Sequence, residues 1–210
     1  MKKILLCLLC LFSLVGCDNK NTQKNTEEDL DFSNYSFVNL RINMPLNYDD
    51  LDEYFEVSMI DEVYDNEIGE FTGDGTPLGE YGPMATDINF AIQKDKLSDF
   101  KKVIEKYQLP KGSYLEVDEK IDSEYGTLLG VRVVFKDMKT SEIDKFYGDA
   151  KSFLNGKYVY STLINNGQDY VAYFYGKSRD IIKNELTSQI SELKKNILLM
   201  DMSDDKIIQN

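Results

Sequence analysis

The sequence predicts an α+β protein with two tandem βαββαβ units that follow a signal peptide and a flexible tether. Three observations lead to this prediction. An apolar run near the amino terminus stops at Cys17, and the next residues are polar and almost free of aliphatic side chains. From Tyr35 onward, strand and helix periodicities then follow one another in an order that occurs twice.

The amino terminus has the pattern of a secretory signal. Lys2 and Lys3 precede an apolar run from Ile4 to Val15 that only Ser13 interrupts. This run is too short to cross a bilayer, because a transmembrane helix needs roughly 20 apolar residues. Its end, Leu14-Val15-Gly16-Cys17, resembles the lipobox of bacterial lipoproteins.

The lipobox resemblance implies cleavage after residue 16, so that 1–16 is the signal peptide, and lipid on the sulfur and amino group of Cys17. Acyl chains such as palmitate would hold the protein to the lipid bilayer. We therefore expect a protein of the bacterial cell membrane that faces the periplasm or the cell surface. The alternative is an ordinary secretory signal, which would leave Cys17 as a free thiol.

Composition restricts the chemistry further. Cys7 and Cys10 would leave with the signal peptide, so a mature chain could form neither an internal disulfide nor a cysteine metal site. The absence of histidine excludes Ser/His/Asp and Cys/His catalysis and the commonest zinc ligand. We expect no cofactor and no metal. The formal net charge of −13 becomes −15 without Lys2 and Lys3, which disfavours nucleic acid and suits solubility or a basic partner.

The predicted domains follow the periodicity. Residues 17–34 hold the lipidated cysteine and a tether that is too polar to order itself. Residues 35–120 form the first unit, in which Val38, Leu40 and Ile42 alternate as in a half-buried strand. A helix at 49–59, strands at 68–72 and 86–92, a helix from Leu97 that Pro110 stops, and the strand "SYLEV" complete this unit.

Residues 127–205 repeat the order. Val131, Val133 and Phe135 mark a strand, and apolar residues from Ile143 to Leu154 mark a helix behind Thr140 or Ser141. Two strands meet at Asn166-Gly167, and a helix from Ile182 precedes the strand "ILLMDM". Two such units make two ferredoxin-like sandwiches, with helices on one face of each sheet. One mixed α+β domain with a continuous sheet is the alternative.

The segments "NEIGEFTGDGTPLGEYGPMATDINFAI", "LPKGSYL" and "AYFYG" carry a family resemblance. They resemble small acidic bacterial proteins that combine a glycine-threonine loop, a "PKGS" turn and an aromatic strand ending in "YG". Most of those proteins are uncharacterised, and some resemble immunity proteins of polymorphic toxin systems. The resemblance implies an α+β core and carries no catalytic residues.

The glycine loop from Gly73 to Gly82 has two interpretations. Asp74, Thr76 and Glu80 could offer oxygen atoms to a cation, although the spacing matches neither a phosphate loop nor a calcium-binding EF-hand loop. The glycines together with Pro77 and Pro83 favour a structured connection between antiparallel strands.

The second hairpin supplies the candidate binding residues. Centring its turn on Asn166-Gly167 pairs Tyr160 with Tyr173 and Tyr158 with Tyr175 on the sheet face away from Val159 and Phe174. We call Tyr158, Tyr160, Tyr173 and Tyr175 the tyrosine face, and we expect it to lie on the open side of the sheet. It could pack against the first unit or a second copy, bind a protein partner, or stack on envelope sugars.

These observations favour a membrane-anchored, non-catalytic binding module of the bacterial envelope over an enzyme. The expected partners are the bilayer, through Cys17, and a protein or a second copy, through the second sheet. The alternative is an immunity-type protein or inhibitor that neutralises an envelope-acting toxin or hydrolase. A carboxylate-dependent enzyme is the third hypothesis, although no pair among the 37 acidic residues stands out.

Overall fold

A computed structural model describes residues 32–79, 82–83, 85–165, 167, 169–193 and 197–203. The predicted signal peptide, Cys17 and all but the last three residues of the predicted tether lie outside these residues. Those last three, Phe32–Asn34, form a single 3₁₀ turn whose Phe32 ring lies 5.9 Å from that of Phe37. Among the described residues, no helix is both long and apolar enough to span a membrane.

The first unit has the predicted βαββαβ order, with a short strand pair inserted in the connection between its second and third strands and one additional strand at its sheet edge. Its elements, in chain order, are β1 (Tyr35–Ile42), α1 (Tyr48–Leu51), a π-helical turn (Asp52–Glu56), α2 (Val57–Asp65), β2 (Gly69–Gly75), the short pair β3 (Leu78–Gly79) and β4 (Gly82–Pro83), β5 (Thr86–Gln93), α3 (Leu97–Ile104), β6 (Ser113–Val117) and β7 (Lys120–Tyr125). The sheet order is β2-β5-β1-β6-β7. The first four strands therefore have the antiparallel order of a ferredoxin-like sheet, and β7 extends its edge.

The second unit repeats this topology without the extra strand. Its elements are β8 (Leu129–Phe135), α4 (Thr140–Phe153), β9 (Tyr160–Asn165), β10 (Tyr170–Gly176), α5 (Arg179–Leu193) and β11 (Ile197–Asp201). The sheet order β11-β8-β10-β9 is the same ferredoxin-like order. The α+β class and the two sandwiches are thus confirmed, and the continuous sheet is not formed by the described residues, because β7 and β8 belong to separate sheets.

Alternating side chains place a core on the helical side of the first sheet. Leu40, Ile42 and Ile88 are fully buried there, and the Phe90 ring lies 5.1 Å from the Phe100 ring of α3. The other face of the same strands carries polar residues, as the alternation predicts. The second unit has its own core, in which Phe135 of β8 packs edge-to-face on Phe146 of α4 at 5.4 Å.

The predicted hairpin register is wrong by two residues. The prediction paired Tyr160 with Tyr173, whereas the structure pairs Tyr160 with Tyr175 and Thr162 with Tyr173. The reason lies in the connection, because β9 ends at Asn165, whose Oδ1 accepts a hydrogen bond from the Gly167 N–H at 2.9 Å, and β10 begins only at Tyr170. A shift of two residues keeps the side chains within β9 and β10 on their predicted faces, since the side-chain period of a strand is two.

Candidate functional site

The tyrosine face is not an open surface. Tyr173 and Tyr175 are 6% and 1% exposed, and both belong to the core cluster that contains the apolar residues of the first unit. The Tyr160 ring lies 4.9 Å from that of Phe55 and 5.0 Å from that of Tyr54, which follow α1 in the π-helical turn. The prediction that these tyrosines bind a protein partner or a second copy is therefore wrong, and the alternative of packing against the first unit is the one the structure adopts.

Tyr158 lies on the opposite side from the other three tyrosines. It precedes β9, and its ring packs edge-to-face on Phe174 at 6.0 Å in the core of the second unit. The placement of Tyr158 on the tyrosine face is wrong because the strand begins only at Tyr160, so the alternation does not extend back to residue 158.

Hydrogen bonds between the two units explain why tyrosines are suited to this buried contact. The Tyr175 hydroxyl donates to the Asn43 carbonyl at 3.2 Å, and the Tyr54 hydroxyl donates to the Ser161 carbonyl at 2.9 Å. A tyrosine ring buries a large apolar area, and its hydroxyl satisfies a polar group that would otherwise be buried unpaired. Burial raises the pKa of Tyr175, which keeps this hydroxyl protonated as a donor.

The outer face of the first sheet carries a row of charges that satisfy one another. Arg41 of β1 makes a two-pronged ion pair with Asp87 of β5, with Nε–Oδ1 at 2.7 Å and Nη2–Oδ2 at 2.6 Å. Its Nη1 also donates a hydrogen bond to the Tyr114 hydroxyl at 3.3 Å, and the guanidinium carbon lies 5.8 Å from the centre of the Tyr114 ring. The hydrogen bonds to Asp87 raise the pKa of Arg41. Charged residues that alternate with buried ones along a strand suggest ordinary solvent contact, but Arg41 is only 8% exposed.

The next row on the same face forms a pocket instead. Asn39 of β1 lies opposite Asn89 of β5 on one side and Glu116 of β6 on the other. This row forms part of a concavity of about 410 Å³, which we call the acceptor pocket; its lining residues are Phe37, Val38, Asn39, Thr72, Asn89, Phe90, Glu116 and Glu119. Asn39 Oδ1 is buried and accepts no hydrogen bond from the described residues. Such a group favours a ligand that donates to it.

Two irregular segments bring side chains to this pocket. A bulge in β2 places Thr72 as an extra residue between Phe71 and Gly73, which pair with Phe90 and Asn89. At the other edge, a two-residue turn joins β6 to β7, and it places Glu119 on the pocket wall.

This turn is held in a strained conformation. Asp118 and Glu119 have φ of +47° and +64°, values that favour glycine or asparagine. Asp118 is fixed by bonds to β1: its Oδ1 accepts from the Phe37 N–H at 3.0 Å, and its Oδ2 accepts from the Ser36 hydroxyl at 3.0 Å. Positive φ at both central residues is the geometry of a two-residue type I′ hairpin turn, and it strains a residue such as Glu119.

Replacing Glu119 by glycine should therefore raise stability while removing a pocket carboxylate. Relief of the left-handed strain predicts a gain of about 1 kcal/mol in the free energy of unfolding. Urea unfolding of Glu119→Gly and of Glu105→Gly, an exposed residue with negative φ, measures it. An equal loss of stability in both variants would contradict strain at residue 119.

A buried carboxylate lies on the helical side of the first unit. Glu56 is 7% exposed, and its Oε2 accepts no hydrogen bond from the described residues. Burial, followed by the negative charges of Asp74 and Asp52, raises the pKa of Glu56 from 4.5 to about 7. No sequence signal marked this residue, because it lies within an acidic helical segment of ordinary appearance.

The glycine loop is a structured connection between β2 and β5, as predicted. It contains the short β3–β4 pair, and the Thr76 hydroxyl donates to the Leu46 carbonyl at 3.3 Å. Among the residues that the structure describes, no three acidic or cysteine side chains are grouped to hold a metal ion. Glu80, the third residue of the alternative ion site, lies outside the described residues.

Sequence reasoning missed the acceptor pocket for a physical reason. In the sequence, Asn39 and Asn89 alternate with apolar residues, a pattern typical of a strand face in ordinary contact with solvent. Thr72, Glu116 and Glu119 belong to no motif. One signal was present: Phe37 occupies an outward position next to the polar outward residues Asn39 and Arg41, and it is 55% exposed.

Comparisons with other proteins give no family. No known protein family matches the sequence, and no curated protein does either. Solved structures that align with the chain have low scores. A proposed glycine cleavage system transcriptional repressor has 7% identity and a TM-score of 0.29, and the alignment covers 80% of this chain and 98% of that one.

Two further structures align to a similar extent. An unknown protein from Galdieria sulphuraria has 9% identity and a TM-score of 0.27, with 80% of this chain and 99% of that chain covered. Protein BT0572 from Bacteroides thetaiotaomicron has 11% identity and a TM-score of 0.27, with 82% and 97% covered. At these scores the similarity carries no functional argument.

Proposed function

We propose that the protein is a lipid-anchored, non-catalytic binding module of the bacterial envelope, and that it binds its ligand in the acceptor pocket. The observation that supports this proposal is the contrast between two neighbouring rows of one sheet face. Arg41 and Asp87 neutralise each other in one row, whereas the next row has a buried acceptor with no partner among the described residues. Binding a donor there would satisfy a group that folding leaves unpaired.

A lipid anchor at Cys17 would hold this pocket outside the cytoplasm. The lipobox-like Leu14-Val15-Gly16-Cys17 and the short apolar run before it support lipidation at Cys17. Two or three acyl chains hold a protein to a bilayer essentially permanently, at about 0.8 kcal/mol per buried methylene. The protein would therefore meet its ligand at the membrane surface, in the periplasm or on the cell exterior.

Replacing Cys17 by serine should abolish labelling with a palmitate analogue and leave an uncleaved precursor, because the lipid transfer requires a thiol. Both effects are measured by labelling cells with the analogue and comparing the labelled band and its mobility on a gel. Wild-type labelling in Cys17→Ser would contradict the lipoprotein proposal. Cys10→Ser is the matched control, and it should be labelled and processed normally, since residue 10 leaves with the signal peptide.

Binding without catalysis is tested with small-molecule fractions from bacterial envelopes. The mature protein in a neutral detergent should show a higher melting temperature with one of the fractions, and Asn39→Leu should not. Mass spectrometry should recover the ligand unchanged. If no fraction raises the melting temperature of the wild type more than that of Asn39→Leu, the site does not lie in the pocket. If the mass of the ligand changes with the wild type but not with a variant at Glu116, the carboxylate enzyme is favoured.

An inhibitor or immunity-type role is the second candidate. The formal net charge of −13 and the two carboxylates that line the acceptor pocket would complement the basic rim of an enzyme's active site. Expression of the protein should then protect cells from a toxin encoded beside its gene, and Glu116→Gln together with Glu119→Gln should remove this protection. Full protection by the double variant would place the inhibitory surface elsewhere.

A further inference from the structure

We propose that the acceptor pocket recognises an alkylammonium or guanidinium group. This inference rests on the proposed function, because it names the chemical class of the ligand for the same site. Asn39 Oδ1, which has no partner among the described residues, is an acceptor, and Asn39 lies directly opposite Glu116 of β6. Glu119 adds a second carboxylate to the wall. Ammonium and guanidinium groups only donate hydrogen bonds, so they match the Asn39 Oδ1 atom and the carboxylates of Glu116 and Glu119.

The exposed aromatic ring of Phe37 also favours a cationic ligand. Phe37 lines the pocket with 55% of its surface exposed, and an aromatic face attracts a cation placed within about 6 Å of the ring centre. A ring exposed to this extent can cover the aliphatic stem of an amine or its charged end. The pocket thus combines an apolar surface with charged acceptors, as a primary amine on an alkyl chain requires.

An anionic ligand does not fit the same walls. None of the described residues that line the acceptor pocket is a lysine or an arginine. The nearby Arg41 donates two hydrogen bonds to Asp87, of 2.7 and 2.6 Å. Two carboxylates would repel a phosphate or a carboxylate ligand. A neutral sugar needs hydrogen-bond donors as well as acceptors in its site, whereas an amine needs acceptors alone. A variant that lacks the amide donor of Asn39 therefore distinguishes a sugar from an amine.

The pocket volume of about 410 Å³ lies within the range of small-molecule sites. An alkylammonium group could come from a free diamine or polyamine, or from a lysine side chain of a basic protein. The chemistry recognised is the same for both sources. Probes that carry one amine on different scaffolds can distinguish them.

The test is calorimetric titration of the mature protein in a neutral detergent. The probes are 1,4-diaminobutane, its uncharged isostere 1,4-butanediol, and Nα-acetyl-lysine amide. We expect at least one amine to bind and the diol to give no heat of binding. Tighter binding of the diamine would identify a free amine as the ligand, and tighter binding of the lysine amide would identify a protein side chain.

Three variants test the site itself. Glu116→Gln should weaken amine binding about tenfold, because a charge-assisted hydrogen bond is lost. Glu105→Gln is the matched control for net charge; residue 105 is exposed next to α3, on the other side of the sheet, and its variant should bind within about twofold of the wild type at moderate salt. Asn39→Asp should tighten binding about threefold, since it replaces a donor-acceptor amide by acceptors alone.

Two results would overturn the inference. Equal binding of the diol and the diamines would show that charge is not recognised, and weaker amine binding by Asn39→Asp would show that the amide must donate, as for a sugar. Failure of every amine, with stabilisation by an envelope fraction that still depends on Asn39, would reject the amine and retain the binding site. If no amine binds and no envelope fraction gives stabilisation that depends on Asn39, the site itself is rejected.

Discussion

Replacing Tyr160 and Tyr173 together by serine is expected to lower the free energy of unfolding by about 4–6 kcal/mol. Both side chains belong to or pack against the core cluster of the first unit, and Tyr173 is 6% exposed. Serine would leave a cavity between the second sheet and the residues Tyr54 and Phe55. Urea unfolding followed by circular dichroism measures the change.

The matched control is Tyr48→Ser. Tyr48 is a tyrosine of the first unit that is 66% exposed, so its replacement should change stability by less than about 0.5 kcal/mol. A double variant as stable as the Tyr48 variant would mean that the tyrosine face is open in solution. The partner site predicted from the sequence would then be restored.

The shared core also predicts how the protein unfolds. The described residues within Phe32–Asn210 form one compact unit, and the Tyr175 hydroxyl of the second sheet donates a hydrogen bond to the Asn43 carbonyl of the first unit. The two sandwiches should therefore unfold in a single transition, so that a probe in either sandwich reports the same midpoint. The double serine variant removes part of their common packing, so it is the variant most suited to separating this transition into two.

Local sequence patterns were sufficient for the elements and their order. Val38, Leu40 and Ile42 alternate with polar residues, and this period alone identifies the buried face of β1. The strand β7 was missed because it lies at the sheet edge, where most of its side chains are exposed and no alternation is needed. The π-helical turn was missed because its residues continue the helical pattern of α1 and α2.

The contact between the two units could not be predicted from the same patterns. Alternation distinguishes two faces of a strand, but it does not say what covers each one. Tyr173 and Tyr175 would suit a partner surface equally well, because a tyrosine ring is apolar and its hydroxyl is polar. The acceptor pocket escaped prediction for a related reason, since Asn39 and Glu116 are brought together by the pairing of β1 with a strand far along the chain.

Glu56 is expected to make the protein less stable as the pH rises from about 4.5 to 7. The carboxyl is 7% exposed, and its Oε2 has no hydrogen-bond partner among the described residues, so ionisation would leave a buried charge unpaired. Burial and then the charges of Asp74 and Asp52 raise its pKa to about 7 in the folded protein. Tyr48 also lies in the field of these three acids, which raises the pKa of its hydroxyl.

The sign follows from proton binding. Between the ordinary pKa of 4.5 and the folded value of about 7, the folded state holds a proton on Glu56 that the unfolded state has released. The contribution of this group to stability is fully present below about pH 4.5, and it is lost as the pH rises through 7. The loss amounts to about 3 kcal/mol, because each unit of pKa difference corresponds to about 1.4 kcal/mol.

The variant Glu56→Gln should remove this pH dependence. Glutamine has nearly the same shape and no charge, so at pH 8 the variant should be more stable than the wild type by about 2–3 kcal/mol, and at pH 4.5 the two should be nearly equal. Urea unfolding at pH 4.5, 6, 7 and 8 gives the difference, in which the titration of the other acids cancels. Asp52→Asn and Asp74→Asn should each lower the pKa of Glu56 toward its ordinary value, because each removes one neighbouring negative charge, although burial remains the larger cause. The decline in stability should therefore end at a lower pH and be smaller in total. Parallel stability curves for the wild type and Glu56→Gln across this range would mean that the carboxyl is hydrated and titrates normally.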